Sequence, residues 1–189
     1  RVGWLDLARA CLEWPARITK PRKTSVPCNT SDFYPTLLEL AGARPIDNQP
    51  PLDGISLVPL INGKMKERRK PMGFWDFKAP GRSRRATAML QSLRQEQLAG
   101  KQLPAPKEGH VERQYPTNTF AGPSAWIDGD RKLLLTSDGQ AKLFDLSKDP
   151  AEKNDLASRN SKEVDSMRKS LRAWQSSVLN SLNGKDYLK

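Results

Sequence analysis

The sequence predicts an α+β fold, in which a small antiparallel sheet is packed by a carboxy-terminal helix and preceded by a helical segment. Three observations predict it. Short apolar runs alternate with Asp-Gly turns over residues 124–146, apolar residues recur at helical spacing over 161–182, and the first 63 residues place short helical stretches between proline-rich turns. Consecutive short strands joined by tight turns pair as an antiparallel meander, and one amphipathic helix suffices to cover one of its faces.

The first element is a helix at about residues 32–41. Ser31 or Asp32 is a suitable N-cap, and Pro35 lies in the first turn, where its missing N–H leaves no hydrogen bond unmade. Gly42 follows the last apolar residue, as is typical at a helix end.

The segments around this helix carry weaker patterns. Residues 12–18 predict a strand end that runs into a Pro- and Lys-rich loop, and residues 43–63 predict turns around a short helix. Residues 71–77 predict a strand, 83–99 a helical stretch, and 100–122 a long loop.

The last third of the chain has the clearest pattern. Residues 124–128, 131–136 and 142–146 predict three strands joined by tight turns. Asn160 and Glu163 have the spacing of a capping box, and a helix follows at about 161–182. Its predicted buried face consists of Val164, Met167, Leu171, Trp174, Val178 and Leu182.

Charge is concentrated in one region. The 189 residues carry a net charge of +11, and residues 64–113 hold thirteen Lys or Arg against five Asp or Glu. The basic stretches 64–70 and 82–85 flank Phe74 and Trp75, a pairing that nucleic-acid binders use. We favour a solvated face beside an apolar strand, and we do not expect nucleic acid as a partner. No apolar run reaches the roughly 18 residues of a membrane span, and no signal peptide is visible.

Few residues could carry chemistry. The sequence has one histidine, His110, and two cysteines, Cys11 and Cys28, too few ligands for a structural zinc site. A disulfide between the cysteines is an alternative, but we prefer two unpaired thiols. The sequence has no G-x-S-x-G nucleophile motif and no phosphate-binding glycine loop.

An acidic run after the third strand could suggest a site for a hard metal ion. We interpret its members instead as turn and cap residues interleaved with lysines. They are Asp145, Asp149, Glu152 and Asp155. Trp126 and Trp174 are interpreted as core residues.

Several segments together resemble the carboxy-terminal third of type I sulfatases, of the arylsulfatase and N-acetylgalactosamine-6-sulfatase sort. Residues 12–18 (LEWPARI) resemble the segment that follows the family's Gly-Gly-x-Arg element. Residues 31–42 (SDFYPTLLELAG) are similar to its D-x-x-P-T-L-L-x-L-A-G helix, and residues 52–57 (LDGISL) to its L-D-G-x-S-L segment. Residues 143–146 (LFDL) and 149–157 (DPAEKNDLA) resemble its carboxy-terminal ending.

The resemblance implies a division of the chain. Residues 1–63 would be the helical remnant of an α/β alkaline-phosphatase-like sulfatase domain, and 64–189 the carboxy-terminal subdomain, with a loop insertion at about 78–122. The implied reaction of the whole family is the hydrolysis of sulfate esters, in sulfated carbohydrate or aryl sulfate. The implied partner is the missing sulfatase catalytic domain, and the compartment would be periplasmic or secreted if a full-length relative carries a signal peptide.

The departures from the family argue against activity in this chain alone. The family makes its formylglycine nucleophile from the Cys of C-x-[PA]-S-R, whereas the closest segment here, residues 28–32, reads CNTSD. The resemblance places the calcium carboxylates and the catalytic histidines and lysines upstream. We therefore expect a truncated sulfatase with no catalytic and no metal residue of its own, and calcium only in the full-length family.

The resemblance also implies a substrate rim. Its candidate residues are Trp75, Asp76, His110, Arg113 and Tyr115. The alternatives are a basic module that binds polyanions, and a structural fragment that docks on a missing catalytic domain.

Overall fold

The computed structural model describes residues 11–46, 49–78, 86–101 and 115–186. The chain divides into two compact units, Arg1–Pro45 with Leu52–Arg68, and Ile46–Pro51 with Arg69–Lys189. None of the helices in this described part is long and apolar enough to cross a membrane.

The first unit is built on helix α1, Phe33–Ala41, and helix α2, Val58–Ile61. Helix α1 lies where it was predicted and ends at Gly42, whose φ of 62° is the left-handed conformation that glycine adopts without strain. The predicted strand at residues 12–18 is wrong, because Trp14 begins a turn. Its carbonyl oxygen accepts hydrogen bonds from the backbone N–H groups of Arg17 at 2.9 Å and Ile18 at 2.7 Å. Pro15 favours this turn, since its ring presets φ and it has no N–H to give a strand ladder.

Asp32 holds the first unit together at the start of α1. Its carboxylate accepts two hydrogen bonds from the guanidinium of Arg68, at 2.8 and 2.9 Å, and one from the backbone N–H of Ile55 at 2.9 Å. It also accepts the backbone N–H of Asn29 at 2.9 Å, which completes a capping box one turn earlier than the expected cap. Gly54 of the L-D-G-x-S-L segment lies directly against the carbonyl of Ser31, where any Cβ would overlap the backbone.

The second unit contains one antiparallel sheet in the order β1-β2-β3-β4. Its strands are Met72–Trp75, Ser124–Asp128, Arg131–Leu135 and Ala141–Asp145, and helix α3, Ala86–Leu98, lies between the first two in the chain. The last three strands form the predicted meander.

Helix α4, Ser161–Leu182, covers one face of the sheet. Leu171 of the helix is fully buried against Leu133 and Leu143 of neighbouring strands. The core also contains Trp126, Leu135, Val164 and Met167, with Trp174 packed against it. The predicted core roles of both tryptophans are therefore confirmed.

The predicted capping box of α4 is wrong, although the helix begins where expected. The side-chain amide of Asn160 donates to the carbonyl of Leu156 at 2.9 Å and makes no cap bond. Glu163 instead pairs with Arg131 of β3, whose Nε lies 3.2 Å from its carboxylate. The carboxylate would accept a charge-assisted bond in either arrangement, but the guanidinium of Arg131 adds the attraction of a full positive charge.

The sheet also buries one lysine, which pairs with a partly exposed glutamate. Lys132 of β3 is 1% exposed, and its ammonium lies 2.5 Å from the carboxylate of Glu152. Glu152 adopts a left-handed φ of 54°, which is unusual for a residue other than glycine.

Candidate functional site

A cluster of aromatic rings lies where β1 ends. Trp75 is the last residue of the strand, and its ring centroid is 4.7 Å from that of Phe77 and 6.4 Å from that of Phe120. The two-residue spacing of Trp75 and Phe77 sends both side chains to the same side of an extended chain. The indole N–H of Trp75 donates to the carbonyl of Ala121 at 3.1 Å, which fixes the orientation of the ring.

Tyr115 joins this cluster from the segment that precedes β2. Its ring lies edge-on to Phe77, with centroids 5.3 Å apart and an interplanar angle of 82°. The buried side chain of Asn183, just beyond α4, holds the Tyr115 backbone by two hydrogen bonds. Its oxygen accepts the N–H at 2.6 Å, and its amide donates to the carbonyl at 2.8 Å.

Asp76 lies on a narrow, irregular continuation of the β1-β2 pair. Its backbone N–H donates to the carbonyl of Pro123 at 3.0 Å, and its carboxylate is 2.5 Å from the ammonium of Lys78. Gly122, with φ of 96°, lies against the carbonyl of Asp76, where a side chain would overlap the backbone. Glycine is therefore required at this point of the chain.

Arg172 of α4 lies against the same cluster. Its guanidinium carbon is 4.6 Å from the ring centroid of Phe120, the geometry of a cation–π contact. Its Nη1 also donates to the side-chain oxygen of Gln175 at 2.9 Å. Burial lowers the pKa of the Arg172 guanidinium, and the neighbouring charge of Arg168 lowers it further.

Three of the five rim candidates can thus be located. Trp75 and Tyr115 belong to one ring cluster through Phe77, and Asp76 lies between Trp75 and Phe77 in the chain. His110 and Arg113 lie outside the described residues. The substrate-rim role of all five stays a prediction.

Sequence reasoning missed Phe77, Phe120 and Arg172. The first could have been found from its two-residue spacing with Trp75. Nothing local distinguishes the other two, since Phe120 lies in a segment without periodicity and Arg172 is one of several basic residues of α4.

Three residues of the acidic run bind backbone N–H groups in and beside the turns after β4, as interpreted from the sequence, whereas the fourth, Glu152, pairs with Lys132. Asp145 accepts the backbone N–H groups of Ser147 and Lys148, and Asp149 accepts that of Asn154. Asp155 accepts the backbone N–H groups of Leu143 and Ala157. The hydrogen bond from Ser147 is the main cause of the lowered pKa of Asp145, and backbone hydrogen bonds lower that of Asp149.

The calcium implied by the sulfatase resemblance does not fit this part of the protein. In the ranges that the structure describes, no three His, Cys, Asp or Glu side chains converge on a point where they could hold a metal ion. Cys11 and Cys28 are both exposed free thiols, so the preferred interpretation of unpaired cysteines is confirmed.

Comparison with known proteins finds solved structures that share this fold. No family model matches the sequence, and no curated protein matches it. The crystal structure of Ps i-CgsB in complex with k-i-k-neocarrahexaose is similar over 86% of this chain, with 20% sequence identity and a TM-score of 0.56. This chain shares its fold with the carboxy-terminal part of sulfatase chains.

Two further structures are similar. Another crystal structure of Ps i-CgsB matches 80% of this chain at 20% identity and a TM-score of 0.52. That of BT4656, in complex with its substrate D-glucosamine-2-N,6-O-disulfate, matches 84% at 17% identity and a TM-score of 0.45. The matched parts are only 27% and 25% of the two Ps i-CgsB chains and 25% of BT4656, so this chain spans about a quarter of their length. The predicted sulfatase fold and the α+β class are confirmed.

Proposed function

We propose that this chain is the carboxy-terminal subdomain of a sulfatase for sulfated carbohydrate, and that a separate α/β domain supplies the catalytic groups. The observation that carries the proposal is the fold shared with Ps i-CgsB over 86% of this chain. That protein was solved with a carrageenan hexasaccharide bound. The sulfatase motifs of the sequence, which occur in the family's order, support the same proposal.

Within this function the aromatic cluster forms part of the substrate rim. The rings of Trp75 and Tyr115 present apolar surface, and Asp76 with Lys78 adds polar groups that can meet sugar hydroxyls. The nucleophile and the calcium ion belong to the α/β domain. Alone, the chain is expected to release no sulfate, with or without calcium.

A polyanion-binding module was the alternative from another class. The positive charge of residues 64–113 supports this alternative. Arg68, however, is 7% exposed and is engaged by Asp32, so the first basic stretch is not a uniform solvated surface. Non-specific polyanion binding would weaken steeply with salt, whereas docking on a catalytic domain would change little.

The decisive test begins with the DNA upstream of the Arg1 codon, read in all three frames. The proposal expects a C-x-[PA]-S-R segment followed by a sulfatase α/β domain. That domain, co-expressed with this chain, should release sulfate from k-i-k-neocarrahexaose. The matched control is this chain alone and its Cys28→Ala variant, both inactive. Sulfate release by the chain alone that disappears in Cys28→Ala would overturn the proposal, as would an upstream domain of another class.

A further inference from the structure

One flank of helix α4 carries three polar side chains at helical spacing. Arg168, Arg172 and Gln175 are four and three residues apart, so they lie on the same side of the helix. Arg172 contacts the ring of Phe120 and donates to Gln175, which places the flank beside the aromatic cluster.

The two arginines of this flank are positively charged and form no ion pair among the described residues. No ion pair of the described residues joins Arg168 or Arg172 to a carboxylate. Burial lowers the pKa of Arg172, and the charge of Arg168 adds to this. Both side chains are only partly buried, and an anion near them would relieve the repulsion between their like charges.

The same flank also contains buried hydrogen-bond donors that lack an acceptor. The Nε atom of Arg168 and the Nε2 atom of Gln175 are buried and have no partner among the residues described. Gln175 is 0% exposed, and its oxygen already accepts from Arg172 at 2.9 Å, so its amide nitrogen remains to be satisfied. Buried donors without an acceptor are rare in folded proteins and often mark a missing ion or ligand.

We propose that Arg168, Arg172 and Gln175 bind a sulfate group of a sulfated oligosaccharide. An oxyanion beside the two guanidinium groups would offset their charge, and its oxygens are the acceptors that the orphaned Nε and Nε2 donors lack. The neighbouring rings of Phe120 and Trp75 offer apolar surface for the attached sugar. The oxyanion follows from the donors and charges alone, and its identity as a saccharide sulfate rests on the proposed function.

The test measures binding and needs no catalytic activity. Isothermal titration calorimetry of the full 189-residue chain, at constant ionic strength, compares three probes. They are k-i-k-neocarrahexaose, its desulfated form and inorganic sulfate. The hexasaccharide should bind with one-to-one stoichiometry, and the other two should bind at least tenfold more weakly.

Variants of α4 locate the site. Arg172→Gln and Arg168→Gln should each weaken hexasaccharide binding about tenfold or more, the effect of losing a hydrogen bond to a charged group. The matched control is Lys169→Gln, an exposed lysine of the same helix with the same loss of charge, which should change Kd less than twofold. Arg168→Gln should also leave the melting temperature unchanged or raise it, because it removes a like-charge neighbour of Arg172.

Three results would overturn the site. They are no hexasaccharide binding by the wild-type chain, an equal loss of affinity in Lys169→Gln, and inorganic sulfate binding as tight as that of the hexasaccharide. If Arg172→Gln fails to fold, the affinity of Arg168→Gln tests the site. This second variant should fold, because the buried Nε of Arg168 makes no hydrogen bond that the substitution could remove. Absent binding leaves the proposed function standing, because that function is tested separately by sulfate release from the chain combined with its upstream domain.

Discussion

Gly73, in the middle of β1, allows the indole of Trp174 to lie directly on the strand. A Cβ built on this glycine would be 2.5 Å from Cε3 and 2.6 Å from Cε2 of that ring, closer than real Cβ atoms approach. The indole cannot simply retreat, because its centroid lies 6.3 Å from that of Trp126, which pairs with Gly73 across the strands. Gly73→Ala must therefore shift the helix or force the ring out of its preferred rotamer.

The expected cost follows from these contacts. Overpacking a core typically costs about 1 to 3 kcal/mol, whereas replacing glycine by alanine in the unfolded chain returns about 0.4 to 1 kcal/mol. Gly73→Ala should thus lower the free energy of unfolding by about 1 to 2 kcal/mol. Trp174→Ala should lower it by about 2 to 3 kcal/mol, less than a fully buried tryptophan, because the ring is only partly buried.

Equilibrium urea unfolding followed by far-UV circular dichroism measures both effects and their coupling. In the double variant the new methyl group enters space that the indole has left, so the combined loss should be smaller than the sum by about 1 kcal/mol or more. Lys142→Ala, at an exposed position of β4, is the control and should change stability by less than about 0.5 kcal/mol. Strict additivity of Gly73→Ala and Trp174→Ala would refute the contact, and an unchanged stability in Trp174→Ala would mean that α4 packs by another face.

Three further predictions concern buried contacts. Asp32→Asn should destabilise the first unit by about 3 to 5 kcal/mol, because Arg68 then keeps its charge in a buried place without a full partner. Chemical denaturation followed by a probe in that unit measures the loss. If the pair is the cause, the Arg68→Met variant should be as unstable alone as it is when combined with Asp32→Asn. Burial alone would raise the pKa of Asp32, but the hydrogen bonds from Arg68, Asn29 and Ile55 outweigh it and lower the pKa below its ordinary value of 3.8. Its contribution to stability is therefore full above that value and is lost as the pH falls through the lowered pKa, so the acid slope of stability should be shallower in Asp32→Asn, and equal slopes would contradict the assignment. Glu152→Gln should cost about 1 to 3 kcal/mol by leaving the ammonium of Lys132 buried with a neutral neighbour, which a thermal melt at pH 7 detects; no change in the melting temperature would mean that Lys132 reaches water.

Local patterns determined much of this fold from the sequence alone. Helix α4 is set by apolar residues at helical spacing, and α1 by its early proline and Gly42. The meander is set by short apolar runs with turn residues between them. These features depend on residues a few positions apart, whose geometry is much the same in any fold. The resemblance to sulfatases predicted the shared fold for the same reason, since it rests on short segments in order.

The tertiary structure decided what depends on residues far apart in the chain. Phe120 and Arg172 are separated by 52 positions, yet the packing of α4 on the sheet brings the guanidinium onto the ring. Asn160 and Glu163 have the spacing of a capping box but make no such contact, because the guanidinium of Arg131 on β3 pairs with the Glu163 carboxylate. Chain connectivity fixes local geometry, but the choice among competing partners is made by the free energy of burying charges and rings together, and only the assembled core sets that free energy.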